Sequence, residues 1–135
     1  MKKILSSVLV CVLLVGTMLA LVSCGGPNAD PTKALAALKD NGYTAAEDKY
    51  VVPTALAILG VKDIKTVISG TKKADDELET VTIVYFKDAD AAKAAWEDVQ
   101  DYADGEKDDE ETDWVVAQSG AMIYFGTKAG VAAAK

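Results

Sequence analysis

The 135-residue chain has no histidine, no arginine, three prolines and only two cysteines. Each shortage excludes something. Histidine changes charge nearest neutral pH and is the commonest metal ligand, so general-base catalysis and imidazole metal sites lose their usual carrier. Without a guanidinium there is no planar fork to grip a carboxylate or phosphate through paired bonds. Both cysteines, Cys11 and Cys24, lie in the N-terminal stretch, which leaves no thiol beyond it for nucleophilic attack or zinc binding. No phosphate-cradling glycine motif occurs; Gly60, Gly70, Gly105, Gly120, Gly126 and Gly130 stand singly and read as turn or cap residues. Ser69 and Ser119 fall outside any nucleophile-elbow pattern. Charge is one-sided, with 21 acids, 14 basic residues and a net −7. Phosphate backbones repel such a chain, and nucleic acid is not an expected partner.

What is present starts at the N-terminus. Lys2 and Lys3 precede a run without charge from Ile4 to Val22, followed by Leu21-Val22-Ser23-Cys24. A positive start, an apolar stretch and a small residue before the cut have the layout of a secretory signal. The last four residues resemble the lipobox of bacterial lipoproteins: aliphatic, β-branched, small, then cysteine. The resemblance implies cleavage between Ser23 and Cys24 and a diacylglyceryl thioether on Cys24, often with an acyl group on its nitrogen. Two or more chains hold a protein stably on a bilayer, whereas one binds only marginally. It also implies a lipid-anchored protein on the extracytoplasmic face of the cell membrane. In a two-membrane cell the outer membrane is open to it, because Gly25 rather than aspartate follows the cysteine. The competing reading of the run is an uncleaved spanning helix, which keeps the rest of the chain at the membrane as well. A Cys11–Cys24 disulfide belongs to the uncleaved alternative alone.

Under the lipoprotein reading, residues 1–23 are the signal peptide and residues 24–31 the lipidated cysteine with a short flexible tether. Residues 32–135 then form a single domain. Losing Lys2 and Lys3 with the signal leaves twelve lysines against 21 acids, a net −9. That balance discourages the domain from lying flat on an anionic leaflet.

Within the domain, Asp30-Pro31 starts a helix that buries Ala34, Leu35 and Leu38 and stops at Asn41-Gly42. Tyr43 to Val52 reads as a modest strand, and Pro53 opens a second helix through Leu56 and Leu59 to Gly60. Strands over 64–71 and 80–86 flank a charged loop, Lys72 to Glu79. In the second of these, Val81, Ile83 and Tyr85 face one way and Val84 and Phe86 the other, as in a central strand. Asp88 caps a long helix carrying Ala92, Ala95, Trp96, Val99, Tyr102 and Ala103 at helical spacing. Two short strands around Ser119-Gly120 and a terminal helix complete the chain. The class is α+β, a small antiparallel sheet with helices packed on one face. The order resembles a ferredoxin-like β-α-β-β-α-β arrangement with an extra N-terminal helix.

Chemistry has few carriers. The acids between Asp104 and Asp113 offer hard oxygen ligands, with Asp104, Asp108, Asp109 and Glu111 as the metal candidates. With Gly105 at the sixth place of a calcium loop, Asp104 and Glu111 fit the fifth and twelfth. Gln100 and Tyr102 then fill the first and third, where carboxylates belong, so a solvated acidic loop is favoured. No metal or cofactor is expected. Trp96 reads as core; Trp114, Tyr124, Phe125, Tyr43 and Tyr50 mark a binding face only if exposed together. The sequence therefore points to a non-enzymatic, membrane-attached module that binds or regulates an envelope protein. A small-ligand or cation (calcium) binding accessory for uptake or sensing is the alternative.

Overall fold

The structure is a computed structural model and describes residues 26–75, 77–107 and 113–135. Its helices are α1 (Pro31–Asp40), α2 (Val51–Ile58), α3 (Ala89–Glu106) and α4 (Lys128–Ala133). Its strands are β1 (Thr44–Glu47), β2 (Ile64–Ala74), β3 (Glu77–Phe86), β4 (Trp114–Ser119) and β5 (Met122–Thr127). The strands form one sheet in the order β1-β2-β3-β5-β4, every neighbouring pair antiparallel. The α+β class and the antiparallel sheet are as expected, and β3 is the central strand.

Two helices are written locally. The Asp30 carboxylate accepts the Thr32 N–H at 2.9 Å, Pro31 follows, and α1 buries Ala34 and Leu38 before Gly42 turns at φ 84°. Asp88 accepts the Ala91 N–H at 2.8 Å, and α3 buries Ala92, Ala95, Val99 and Ala103. The start of α2 is different. The Asp48 carboxylate accepts from the N–H groups of Tyr50, Val51 and Val52 at 3.0, 2.9 and 3.0 Å. That cap begins the helix two residues before Pro53, so β1 ends at Glu47 and does not run to Val52.

The charged loop expected over Lys72–Glu79 is mostly strand. Lys72 pairs with Glu79, Lys73 with Leu78 and Ala74 with Glu77, leaving a two-residue turn entered through Asp75 at φ 55°. Opposite charges across an antiparallel pair stabilise it, and aspartate tolerates the left-handed turn, so charge here marks pairing.

The expectation of helices on one face is corrected: both faces are covered. Val84 and Phe86 of β3 join Ile123 and Phe125 of β5 under α2 and α3. Val81, Ile83 and Tyr85, with Met122 and Tyr124, lie under α1 and α4. A strand that is apolar on both sides requires cover on both sides, since leaving either row wet would forfeit roughly 25 cal/mol per Å². The ferredoxin-like order holds for half the chain. β3 and β4 run parallel, joined by α3, with β5 between them, which is the split β-α-β unit. β1 and β2, joined by α2, are direct antiparallel neighbours, so the first half is not split.

Of the glycines taken for turn or cap residues, Gly70 is paired inside β2 and Gly105 lies inside α3, while Gly126 and Gly130 serve close packing. A Cβ on Gly126 (φ 146°) or on Gly130 would collide with the Thr80 carbonyl. The bare Gly126 lets β5 approach β3 closely, and the bare Gly130 lets α4 lie on the β3 backbone. Thr127 closes the crossing: its buried Oγ1 accepts the Thr80 and Gly130 N–H groups and donates to the Thr80 carbonyl, each at 3.2 Å.

Residues 26–30, read as part of a tether, lie against the domain. Gly26 and Pro27 are buried, and Gly26 sits on the Tyr124 ring. The Asn28 N–H donates to the Ala134 carbonyl at 2.7 Å, and the Asn28 carbonyl accepts the Tyr85 hydroxyl at 2.7 Å.

Candidate interaction surface

α2 contains no charged residue, and only part of it has a core to enter. Val52 and Leu56, one turn apart, are buried against β2 and β3. Their i, i+4 spacing sets the helix phase and turns the other apolar residues outward. Val51 is 71% exposed, Ile58 81% and the flanking Tyr50 78%; Leu59 is half exposed. These four, with Leu78 on β3, are the exposed large hydrophobic residues among those described. Four exposed large apolar side chains on and beside one short helix form a candidate interaction surface.

Beside these side chains, between α2 and the β1–β2 edge, runs an open groove of about 360 Å³. Glu47, Asp48, Pro53, Ala57, Ile64 and Thr66 contribute to its wall. Its acids are already engaged. Burial pushes the Asp48 carboxyl up, but the three backbone N–H donors outweigh it and hold the group below its ordinary range. Glu47 accepts the Thr66 hydroxyl at 2.7 Å. The groove thus presents carboxylates committed to structure.

Two tyrosines, Tyr43 and Tyr85, donate their hydroxyls. Burial, then the Glu79 carboxylate accepting its hydroxyl at 2.5 Å, push the Tyr43 phenol well above its usual range. Lys72 Nζ lies 5.5 Å from the Tyr43 ring centroid and donates to the Asn41 carbonyl at 3.2 Å. Burial, with Glu106 and Asp48 nearby, raises Tyr102 to about 12. Burial foremost raises Tyr85 and Tyr124 as well. Phenols held protonated are poor nucleophiles and bases; they fasten segments.

Of the site residues expected from sequence, Ser23, Cys24, Asp108, Asp109 and Glu111 lie outside the described residues. Asp104 is exposed near the end of α3. Among the described residues no three His, Cys, Asp or Glu side chains converge as a metal site, and no helix is long and apolar enough to cross a membrane. The aromatic residues do not form a common exposed face. Tyr124 and Phe125 are buried on opposite sides of the sheet, Tyr43 is buried, and Trp114 packs at 6.3 Å from Phe125. The Trp114 indole N–H is buried with no acceptor among the described residues. Trp96 packs on the α2–α3 side, as core spacing predicts. Tyr50 alone of the five reaches the surface, in company the sequence reading missed. The available signal was Val51 and Ile58 out of phase with Val52 and Leu56, in a helix with no charge. Comparison with protein families, curated proteins and solved structures gives no match.

Proposed function

We propose that this protein is a lipid-anchored, extracytoplasmic interaction module that binds a neighbouring envelope protein through the outward side of α2. The observation that carries the reading is the exposure of Tyr50, Val51 and Ile58 on and beside an uncharged helix. Apolar and aromatic side chains are the usual anchors of a protein interface, and desolvating them is the main source of binding energy. The absence of histidine, arginine and any cysteine beyond Cys24 supports a non-enzymatic role. The lipobox-like Leu21-Val22-Ser23-Cys24 supports the anchor.

A photo-crosslinker at Ile58 and, as a control, at Ala94 on α3 tests the reading in living cells. A discrete crosslinked partner at Ile58, absent at Ala94 and lost with Cys24→Ala, is the expected outcome. Equal crosslinking at both positions would sink it. With the crosslinker moved to Val51, Ile58→Ser should weaken the crosslink while changing stability by less than about 0.5 kcal/mol, as surface substitutions do.

The groove favours one second reading, a small-ligand accessory protein. Its volume of about 360 Å³ is near the lower bound of known ligand pockets, roughly 300 Å³. Calorimetry with calcium and a panel of small organic solutes tests it, and heat abolished by Ala57→Trp would favour it over the interaction reading.

A further inference from the structure

The chain reaches the domain on one particular face. Gly26 lies on Tyr124, and Asn28 is held by Tyr85 and by the Ala134 carbonyl. Tyr85 and Tyr124 both belong to the side of the sheet covered by α1 and α4. A free tether over residues 24–30 would let the domain tumble some 20 Å from its anchor. With Gly26 held, Cys24 is two residues away, about 7 Å of extended chain. The attachment therefore restrains orientation as well as distance.

Charge is segregated between the same two faces. The α1 and α4 segments, residues 30–40 and 127–135, carry Lys33, Lys39, Lys128 and Lys135 against Asp30 and Asp40. All four lysines are exposed. The α2 and α3 segments, residues 48–58 and 88–107, carry eight acids against Lys49, Lys93 and Lys107. The α1 and α4 segments thus carry a net +2 and the α2 and α3 segments a net −5, so part of the charge expected to hold the domain off an anionic leaflet lies away from the attachment. Two helix layers, each about 10 Å thick, and the sheet separate the outward sides of α1 and α3. That exceeds two Debye lengths of about 8 Å at physiological salt, so the far acids are screened from a surface that the near lysines feel.

We infer that the α1–α4 face is a membrane-docking surface, which lies on anionic lipid headgroups through Lys33, Lys39, Lys128 and Lys135 and turns the α2–α3 face outward. The inference rests on the lipid anchor at Cys24 and deepens the proposed function, because it aims the exposed side of α2 away from the bilayer. The partner is then a protein that stands above the membrane surface.

The test uses the full-length lipidated protein in vesicles of phosphatidylcholine containing phosphatidylglycerol and a nitroxide-headgroup lipid. A fluorophore is placed through Ala36→Cys on α1 or Ala94→Cys on α3, both exposed positions. Quenching several-fold stronger at position 36, with the difference shrinking at high salt, is the expected result. Lys33→Glu combined with Lys39→Glu should bring the ratio near one while the lipid keeps the protein bound. Equal quenching of the bound wild-type domain, or stronger quenching at position 94, overturns the inference. Disulfide-linked dimers through Ala36→Cys also overturn it, by putting a second copy on that face. Wild-type protein whose mass shows no lipid on Cys24 would remove the anchor reading and the orientation with it, an outcome distinct from lipidated, bound protein without preference.

Discussion

The two faces of the sheet are built from different materials. Under α2 and α3 the sheet contributes Val67, Val84, Phe86, Ile123 and Phe125, which meet Val52, Leu56 and Val99, with Trp96, Tyr102 and Trp114 at the margin, in an apolar layer held mainly by contact. Under α1 and α4 it contributes Tyr85, Tyr124 and the backbone beside Gly126, and Tyr43 joins them. Tyr43 and Tyr85 use their hydroxyls on Glu79 and the Asn28 carbonyl. Dispersion and apolar burial are non-directional and accept many packings of similar volume. Hydrogen bonds from buried phenols and glycine-dependent close approach each fit one neighbour in one place. The first face supplies bulk stability. The second decides where α4 and residues 26–30 sit, which is where the proposed anchor meets the domain.

Substitutions that break this contrast fall in order of size. Gly126→Ala adds a methyl against the Thr80 carbonyl at a φ of 146° that side chains rarely adopt, and is expected to cost about 4 kcal/mol. Urea unfolding measures it; a loss below about 1 kcal/mol would mean that β5 can shift from β3 cheaply at this position. Leu56→Ala removes a fully buried side chain from the α2–α3 face and should cost about 3 kcal/mol by the same method, with the protein still folded. If the two costs exchanged rank, the contrast between fitted and merely filled faces would fail.

Asp48→Ala removes the α2 cap and should cost about 1–2 kcal/mol at neutral pH. The Asp48 carboxyl is held below its ordinary value of 3.8, so its contribution is complete above that value and is lost as pH falls through the lower folded-state one. Unfolding curves of wild type and variant should therefore converge only in strong acid; a gap that persisted there would assign the effect to packing. Tyr85→Phe is the smallest change, about 1 kcal/mol. Its sharper readout is hydrogen exchange, which should rise at Asn28 while amides of β3 stay protected. Unchanged exchange at Asn28 would show that Gly26 and Pro27 suffice to hold the segment.

Features that depend on neighbours in sequence were legible before the structure. Asp30-Pro31 with Asn41-Gly42, and Asp88 with its alanine stripe, bound α1 and α3 because caps and helical periodicity act within a few residues. The two-sided alternation of β3 placed it at the centre of the sheet. What failed was local reading of residues whose partners are remote. Lys72 and Glu79 look like loop until each is seen opposite the other. Val51 looks like strand until Asp48 is seen to cap the turn above it. At the candidate surface, Tyr50 was visible as an aromatic, whereas Val51 and Ile58 became candidates only once Val52 and Leu56 had claimed the core.

By itself, then, the sequence determined the α+β class, the principal helix limits and the central strand, all carried by short-range periodicity or capping, and it displays a lipobox-like motif. Tertiary structure alone decided the strand order, the glycine through which α4 rests on β3, the apolar side chains left outside and the opposite net charge of the two helix-covered faces. The physical reason is distance along the chain. Net charge and hydropathy are sums over residues, whereas a face gathers side chains from segments such as 30–40 and 127–135 that only folding brings together.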